Sequence, residues 1–143
     1  MTIRRGTATD VPRALGIWRS AVDATHTFLT PADRVEIDAM VANDFLPNAE
    51  LWLVLDGDDR AVGFLVMDGA MIDALFVDPA CHGRGFGTAL LDHALKLEPA
   101  ATVDASEQAT NALPFYLARG FRITGRSPTD GQGRPYPLIH LAR

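Results

Sequence analysis

The chain has 143 residues, 48% of them hydrophobic, which predicts one domain over residues 1–143 with a single core. Its net charge of −5 argues against a nucleic-acid-binding surface, since such surfaces need a basic stripe. The one cysteine, Cys81, excludes an internal disulfide, and no Cys/His cluster has the spacing of a metal site. Without a signal peptide or an apolar run of about 20 residues, we expect a cytoplasmic protein that has no membrane segment.

The first third of the chain predicts a strand and two helices. Residues 2–5 have the pattern of a short strand, and Asp10 stands where the N-cap of an amphipathic helix belongs. Residues 23–29 are predicted to be a loop. Residues 30–33 have the pattern of a capping box that begins a second helix, and Pro47 marks its end.

The middle of the chain predicts an antiparallel meander. Three apolar stretches, residues 51–55, 61–67 and 71–77, are separated by turns rich in Asp and Gly. Pro79 ends the third strand, and the glycine-rich loop of residues 82–87 follows it.

The last third predicts two helices with a strand between them, followed by a hairpin. The predicted elements are a helix over residues 88–97, a strand over 101–105, a helix over 110–119 and two hairpin strands over 121–126 and 136–141. The central β-α-β unit should be a right-handed parallel crossover, and the other pairings antiparallel. The sequence therefore predicts an α/β fold of the α+β type, with a mixed, mostly antiparallel sheet of six to seven strands and helices on both faces.

The glycine loop carries the chemistry of an anion site. It reads His82-Gly-Arg-Gly-Phe-Gly87 and lies directly between a strand and a helix. Glycines at alternate positions let successive backbone N–H groups turn toward one point, and the positive end of the helix dipole adds to it. We therefore expect a phosphate or pyrophosphate to bind here.

Two other phosphate loops fit less well. A P-loop needs a lysine after its last glycine, whereas the only lysine, Lys96, lies deep in the next helix. A dinucleotide loop needs Gly-x-Gly-x-x-Gly, and counting from Gly83 its last position is Thr88. Asp104 stands about 20 residues on, where a ribose-binding acid would lie, so a dinucleotide site remains the main alternative.

A second motif follows the glycine loop further along the chain. The segment Ala112-Leu-Pro-Phe-Tyr-Leu-Ala-Arg-Gly-Phe121 comes after the glycine loop, the helix and a strand. Together the two motifs resemble the signature of GNAT-family N-acetyltransferases, and the resemblance extends over the whole chain. The sequence departs from the family pattern at two positions: His82 stands where Gln or Arg is usual, and Ala109 stands where Asn is usual.

The resemblance implies acetyl-CoA as the cofactor. The pantetheine arm would lie like an extra strand beside the strand that ends at Val77, and the pyrophosphate would bind the glycine loop. Asn111 stands two residues after Ala109 and is a candidate replacement for the usual asparagine. The implied cofactor-binding residues are Leu75, Phe76, Val77, His82, Gly83, Arg84, Gly85, Phe86, Gly87, Thr88, Asn111 and Tyr116.

The resemblance also implies a direct transfer to an amine in a ternary complex. Tyr116 matches the family's general acid, which protonates the departing thiolate. The base is not fixed by the motif, and Asp73, Asp104 and Glu107 are the carboxylate candidates. His26, Phe28 and Tyr136 are candidates for contacts with the acceptor, and His26 is also a candidate base.

The acceptor is expected to be an amine of a small molecule or a protein, and the protein itself a monomer or homodimer. A non-catalytic acyl-CoA sensor on the same fold is one alternative, and a dinucleotide-binding protein is another. A toxin that acetylates charged tRNA is disfavoured by the acidic net charge.

Overall fold

The computed structural model describes all residues from Met1 to Arg143. Seven strands form one sheet in the order β1-β2-β3-β4-β5-β7-β6, and only β4 and β5 pair in parallel. The predicted mixed, mostly antiparallel sheet is therefore confirmed. The strands are β1 (Thr2–Arg5), β2 (Leu51–Leu55), β3 (Ala61–Asp68), β4 (Met71–Val77), β5 (Thr102–Ser106), β6 (Arg122–Ser127) and β7 (Leu138–Ala142).

Five helices connect the strands, together with short 3₁₀ turns. The helices are α1 (Val11–Thr25), α2 (Pro31–Met40), α3 (Leu46–Asn48), α4 (Phe86–Leu97) and α5 (Ala112–Leu117). A π-helical turn, Val41–Phe45, joins α2 to α3. Pro47 lies within the first turn of α3, where its missing N–H is tolerated, and the widened turn directly precedes α3. None of the helices is both long and apolar enough to cross a lipid bilayer.

Three helix boundaries differ from the sequence prediction. The loop expected over residues 23–29 begins later, because α1 continues to Thr25, whose hydroxyl donates to the carbonyl of Ala21. Helix α4 begins at Phe86, two residues early, because Gly85 takes a left-handed conformation as its N-cap. Helix α5 is shorter than residues 110–119.

The C-terminal end of α5 at Leu117 has a structural cause. The N–H of Phe121 donates to the carbonyl of Tyr116, and the N–H of Gly120 to that of Leu117. With Gly120 at φ 88°, these two bonds form a Schellman motif, which ends the helix after Leu117. The glycine predicted to close the helix does so.

The hydrophobic core lies on both sides of the sheet. On one face, Leu90 and Leu91 of α4 and Tyr116 of α5 pack against β-strand residues. On the other face, Ile17 of α1 and Leu46 of α3 do the same. Helices on both faces are thus confirmed. A single parallel pair of strands is too few for the doubly wound sheet of a dinucleotide-binding fold.

The sheet opens between β4 and β5. The parallel pairing covers only Met71 with Thr102 and Ile72 with Val103, so the strands separate beyond these residues. On its other side β4 stays paired with β3 as far as Val77, opposite Gly63. A Cβ at Gly63 would lie 2.9 Å from the carbonyl oxygen of Phe76, so glycine is needed for this close approach.

Candidate functional site

Two cavities meet at the opening between β4 and β5. The larger, about 320 Å³, lies toward the glycine loop and α4, and we name it the loop cavity. The smaller, about 150 Å³, lies toward α1, and we name it the α1 cavity. Both are lined by Leu75, Val77, His82, Asn111, Ala112 and Tyr116. A molecule that fills the loop cavity would therefore present one end to the α1 cavity.

The glycine loop borders the loop cavity as predicted, but its glycines have different tasks. Gly83 and Gly85 have φ values of 77° and 85°, which only glycine adopts without strain. They turn the chain into α4, whose first N–H groups have no helical acceptor. Gly87 instead lies inside α4, where a Cβ would be 3.2 Å from the ring of Phe115. The first two shape the turn that leads into the N-terminus of α4, and the third lets α5 pack closely.

The edge of β4 provides backbone groups for a ligand. Leu75, Phe76 and Val77 pair with β3 on one side, and their other edge faces the opening. In a strand paired on one side only, alternate N–H and C=O groups are free on the other side. An extended chain with amide groups can add there as a strand would.

Tyr116 lies where the two cavities meet. Its ring is buried between Phe115 and Phe121, with edge-to-face centroid distances of 5.1 and 5.3 Å. Burial raises the pKa of the Tyr116 hydroxyl, so the group stays protonated at neutral pH and can donate a hydrogen bond.

His26 lines the α1 cavity just after α1. The Thr25 hydroxyl lies 2.8 Å from the carbonyl oxygen of Ala21 and 2.7 Å from His26 Nδ1. A hydroxyl has one proton, so both contacts are hydrogen bonds only if Nδ1–H donates to Thr25. Nε2 is then unprotonated. Burial also lowers the pKa of His26, which favours the neutral ring.

Asp73 and Asp104 also line the α1 cavity, from β4 and β5. Burial raises the pKa of Asp73, and the nearby charge of Asp68 adds to this effect. Asp104 accepts a 2.5 Å hydrogen bond from His140 Nδ1, and His140 Nε2 lies 2.7 Å from the Ser127 hydroxyl. Three neighbouring strands thus hold the carboxylate of Asp104 in one orientation.

Four predicted site residues lie outside the two cavities. Glu107 is paired with Arg126 at 2.7 Å, which lowers the pKa of Glu107, and Arg84 is exposed to solvent. Phe28 lies against His26 at 5.3 Å and against Tyr136 at 5.8 Å. The Tyr136 hydroxyl donates to Asp33, so this ring anchors the β6–β7 loop on α2.

The other predicted residues do line the cavities. Gly83, Gly85, Phe86, Gly87 and Thr88 line the loop cavity, Phe76 lines the α1 cavity, and Leu75, Val77, His82 and Asn111 line both.

The structure adds two residues that the sequence analysis missed. Arg119 lines the loop cavity, although it stands at a variable position of the second motif. His140 contacts Asp104 only because β7 returns beside β5. Helical spacing from Phe115 to Arg119 could have indicated the first contact, whereas nothing in the sequence gives the register that makes the second.

Comparisons with known proteins agree on one family. Residues 23–135 match the family described as "Acetyltransferase (GNAT) domain". The chain is 45% identical to the peptidyl-lysine N-acetyltransferase YjaB of Salmonella typhimurium, with 99% of this chain and 97% of that protein aligned. It superposes on the solution structure of apo-form YjaB from Escherichia coli with a TM-score of 0.92 and 42% identity, over 99% and 95% of the two chains. The PaiA N-acetyltransferase of Thermoplasma acidophilum, solved in complex with coenzyme A, has the same fold, with a TM-score of 0.74, 17% identity and 98% of each chain covered.

Proposed function

The chain belongs to the GNAT family and is an N-acetyltransferase that uses acetyl-CoA, and we propose that its acceptor is the ε-amino group of a lysine in a peptide or protein. Two YjaB proteins that are 45% and 42% identical to this chain are named peptidyl-lysine N-acetyltransferases. The observation that carries the proposal is the α1 cavity, which combines Asp73 and Asp104 with the neutral ring of His26. Carboxylates attract an alkyl ammonium group, and a neutral imidazole can take its proton.

The cofactor would bind in the loop cavity. The N-terminus of α4, with the loop residues Gly83 to Thr88, is suited to the pyrophosphate. The free edge of β4 at Leu75 to Val77 is suited to the amides of the pantetheine arm, and Asn111 lies where that arm would pass. The thioester would then reach the junction of the two cavities, beside Tyr116.

The amine must lose a proton before it attacks, because a lysine side chain has a pKa near 10. We propose that Asp73 and Asp104 hold the ammonium group and that His26 Nε2 accepts the proton. The amine nitrogen then forms a bond to the thioester carbon, and the carbonyl oxygen becomes an oxyanion. A backbone N–H on the free edge of β4 can stabilise this oxyanion.

Collapse of the intermediate breaks the carbon–sulfur bond. The thiolate leaves toward Tyr116, whose protonated hydroxyl donates first a hydrogen bond and then its proton. The attacking nitrogen loses its second proton to solvent, from which Tyr116 is reprotonated. The net products are the acetylated amine, coenzyme A as the thiol and one proton.

The test is acetylation of a defined peptide. The purified chain is incubated with acetyl-CoA and a peptide that contains one internal lysine and a blocked N-terminus, and the product is located by mass spectrometry. The control is the same peptide with arginine in place of lysine and a free N-terminus. We expect acetylation of the lysine peptide alone. Modification of the control peptide only would contradict the lysine proposal and indicate an α-amino acceptor.

A further inference from the structure

Arg119 is a charged residue in an otherwise apolar and neutral part of the site. It lies just beyond α5 and lines the loop cavity. Among the fourteen residues that line this cavity, it has the only permanently charged side chain. The ligand of this cavity, acetyl-CoA, carries three phosphate groups and is strongly anionic.

The guanidinium group of Arg119 is fixed in place. Its Nε and one terminal nitrogen donate to the Thr88 hydroxyl at 3.0 and 2.8 Å, and the other terminal nitrogen donates to the Phe115 carbonyl at 2.8 Å. It also stacks 3.9 Å above the Phe115 ring. Three of its five N–H donors are used in this way, and two remain free.

No carboxylate neutralises this charge. Seven of the eleven other arginines have an acidic partner within 4.0 Å, whereas Arg119 has none. The four others without a partner are exposed to solvent, and Arg119 is half-buried. Ordering a long side chain costs conformational entropy, and an ordered guanidinium group with free donors is an efficient phosphate ligand. The arrangement therefore suits an anion that comes from outside the chain.

The position of Arg119 indicates which phosphate it meets. The N-terminus of α4 can accept the pyrophosphate, which accounts for two of the three phosphate groups. Arg119 is attached to the third residue of α4, Thr88, beside this site and on the α5 side of the cavity. We propose that Arg119 binds the 3′-phosphate of coenzyme A and selects acetyl-CoA over its 3′-dephosphorylated form.

The test measures binding without any acceptor amine. Dissociation constants of coenzyme A and 3′-dephospho-coenzyme A are determined by calorimetry for the wild type, for Arg119→Met and for Arg122→Met. Methionine keeps an unbranched side chain of similar length without the guanidinium group. Arg122 is an exposed arginine outside both cavities, so its variant is the matched control.

We expect the wild type and Arg122→Met to bind coenzyme A about 10- to 100-fold more tightly than the dephosphorylated ligand. Arg119→Met should bind both ligands equally and as weakly as the wild type binds the dephosphorylated one. An equal loss of affinity for both ligands on substitution would overturn the proposal and indicate a pyrophosphate contact or a purely structural role.

The comparison of the two ligands on the wild type needs no variant. If Arg119→Met does not fold, a wild-type protein that binds both ligands equally still refutes the proposal. Thr88→Val then provides a second variant, because it removes the hydroxyl that holds Arg119 and should reduce the ligand preference in part. The inference rests on the use of acetyl-CoA and is independent of the acceptor, so it can fail while the lysine proposal stands.

Discussion

Burial favours the uncharged form of both Tyr116 and His26. It raises the pKa of Tyr116, which keeps a proton available, and lowers the pKa of His26, which keeps a site for one open. Both side chains line the α1 cavity, so the proposed donor and the proposed acceptor of protons lie beside the same small volume.

Substituting Tyr116 with phenylalanine removes the hydroxyl and preserves the ring packing against Phe115 and Phe121. We expect kcat to fall by roughly 10²- to 10⁴-fold, because the departing thiolate loses its proton donor. Binding of coenzyme A, measured by calorimetry, should change little. A variant that keeps its turnover would show that another group, or water, protonates the sulfur.

Substituting His26 with glutamine removes the proposed base. Wild-type activity should fall as the pH drops through the lowered pKa of His26, below the ordinary value of about 6.5. The ratio of variant to wild-type kcat/KM cancels the titration of the acceptor amine. We expect this ratio to be about 10⁻² at neutral pH and to rise toward acid pH, where the wild-type imidazole is protonated.

His93→Gln is the control for this experiment. His93 is also a histidine whose pKa is lowered by burial, but it packs against Trp52 at 4.3 Å and lines neither cavity. The ratio of kcat/KM for His93→Gln to that of the wild type should not change with pH. If the kcat/KM ratio for His26→Gln is also independent of pH, a carboxylate and not His26 accepts the proton of the amine.

Pairing of β3 with β4 holds the free edge of β4 in place, and Gly63 makes that pairing possible. Gly63→Ala would bring a Cβ within 2.9 Å of the Phe76 carbonyl oxygen and 3.0 Å of the Val54 side chain. We expect the free energy of unfolding to fall by about 1–3 kcal/mol, as measured by urea denaturation.

Gly16→Ala provides a control of opposite sign. Gly16 lies within α1, and a Cβ added there would meet no other atom within 4 Å. Alanine at this position should stabilise the protein by about 0.5–1 kcal/mol, because it restricts the unfolded chain. If both variants shift stability in the same direction, the contact with Phe76 does not decide the effect at Gly63.

The sequence predicted the elements better than their ends. The β2–β3–β4 meander could be predicted because Asp/Gly turns and apolar stretches both indicate it. The start of α4 could not, since a glycine in a left-handed conformation looks in sequence like any loop glycine. The ion pair of Glu107 with Arg126 could not be predicted either, because it depends on the position that Arg126 takes once the strands have paired.

At the scale of the whole molecule, ion pairs lower the pKa values of two carboxylates near the N-terminal helices. Asp38 of α2 accepts from Arg19 of α1 at 2.8 Å and from Arg34 at 2.8 Å, and both contacts lower its pKa. Asp10, paired with Arg4 of β1, has its pKa lowered to about 2. In each case the carboxylate is the form that the native state favours.

These lowered pKa values give stability a defined pH dependence. The unfolded chain binds protons at Asp10 and Asp38 near pH 4, before the native state does. Their contribution is therefore complete above about pH 4 and is lost as the pH falls toward 2. Unfolding followed by circular dichroism across this range should show a steep decrease in the free energy of unfolding.

Asp38→Asn should make that decrease less steep and lower stability at neutral pH by roughly 1 kcal/mol, a modest value because Arg19 is half exposed and water screens the pair. Asp58→Asn is the control, since Asp58 lies in an exposed turn and makes no ion pair. An unchanged slope in Asp38→Asn would assign the acid sensitivity to other carboxylates.

The composition of these ion pairs also determines whether acetyl-CoA can react with them. Ten contacts join an arginine to a carboxylate, and the chain's single lysine, Lys96, takes part in no ion pair. A guanidinium group stays protonated at physiological pH and has no free lone pair with which to attack a thioester. Acetyl-CoA therefore cannot neutralise the arginines of these ion pairs.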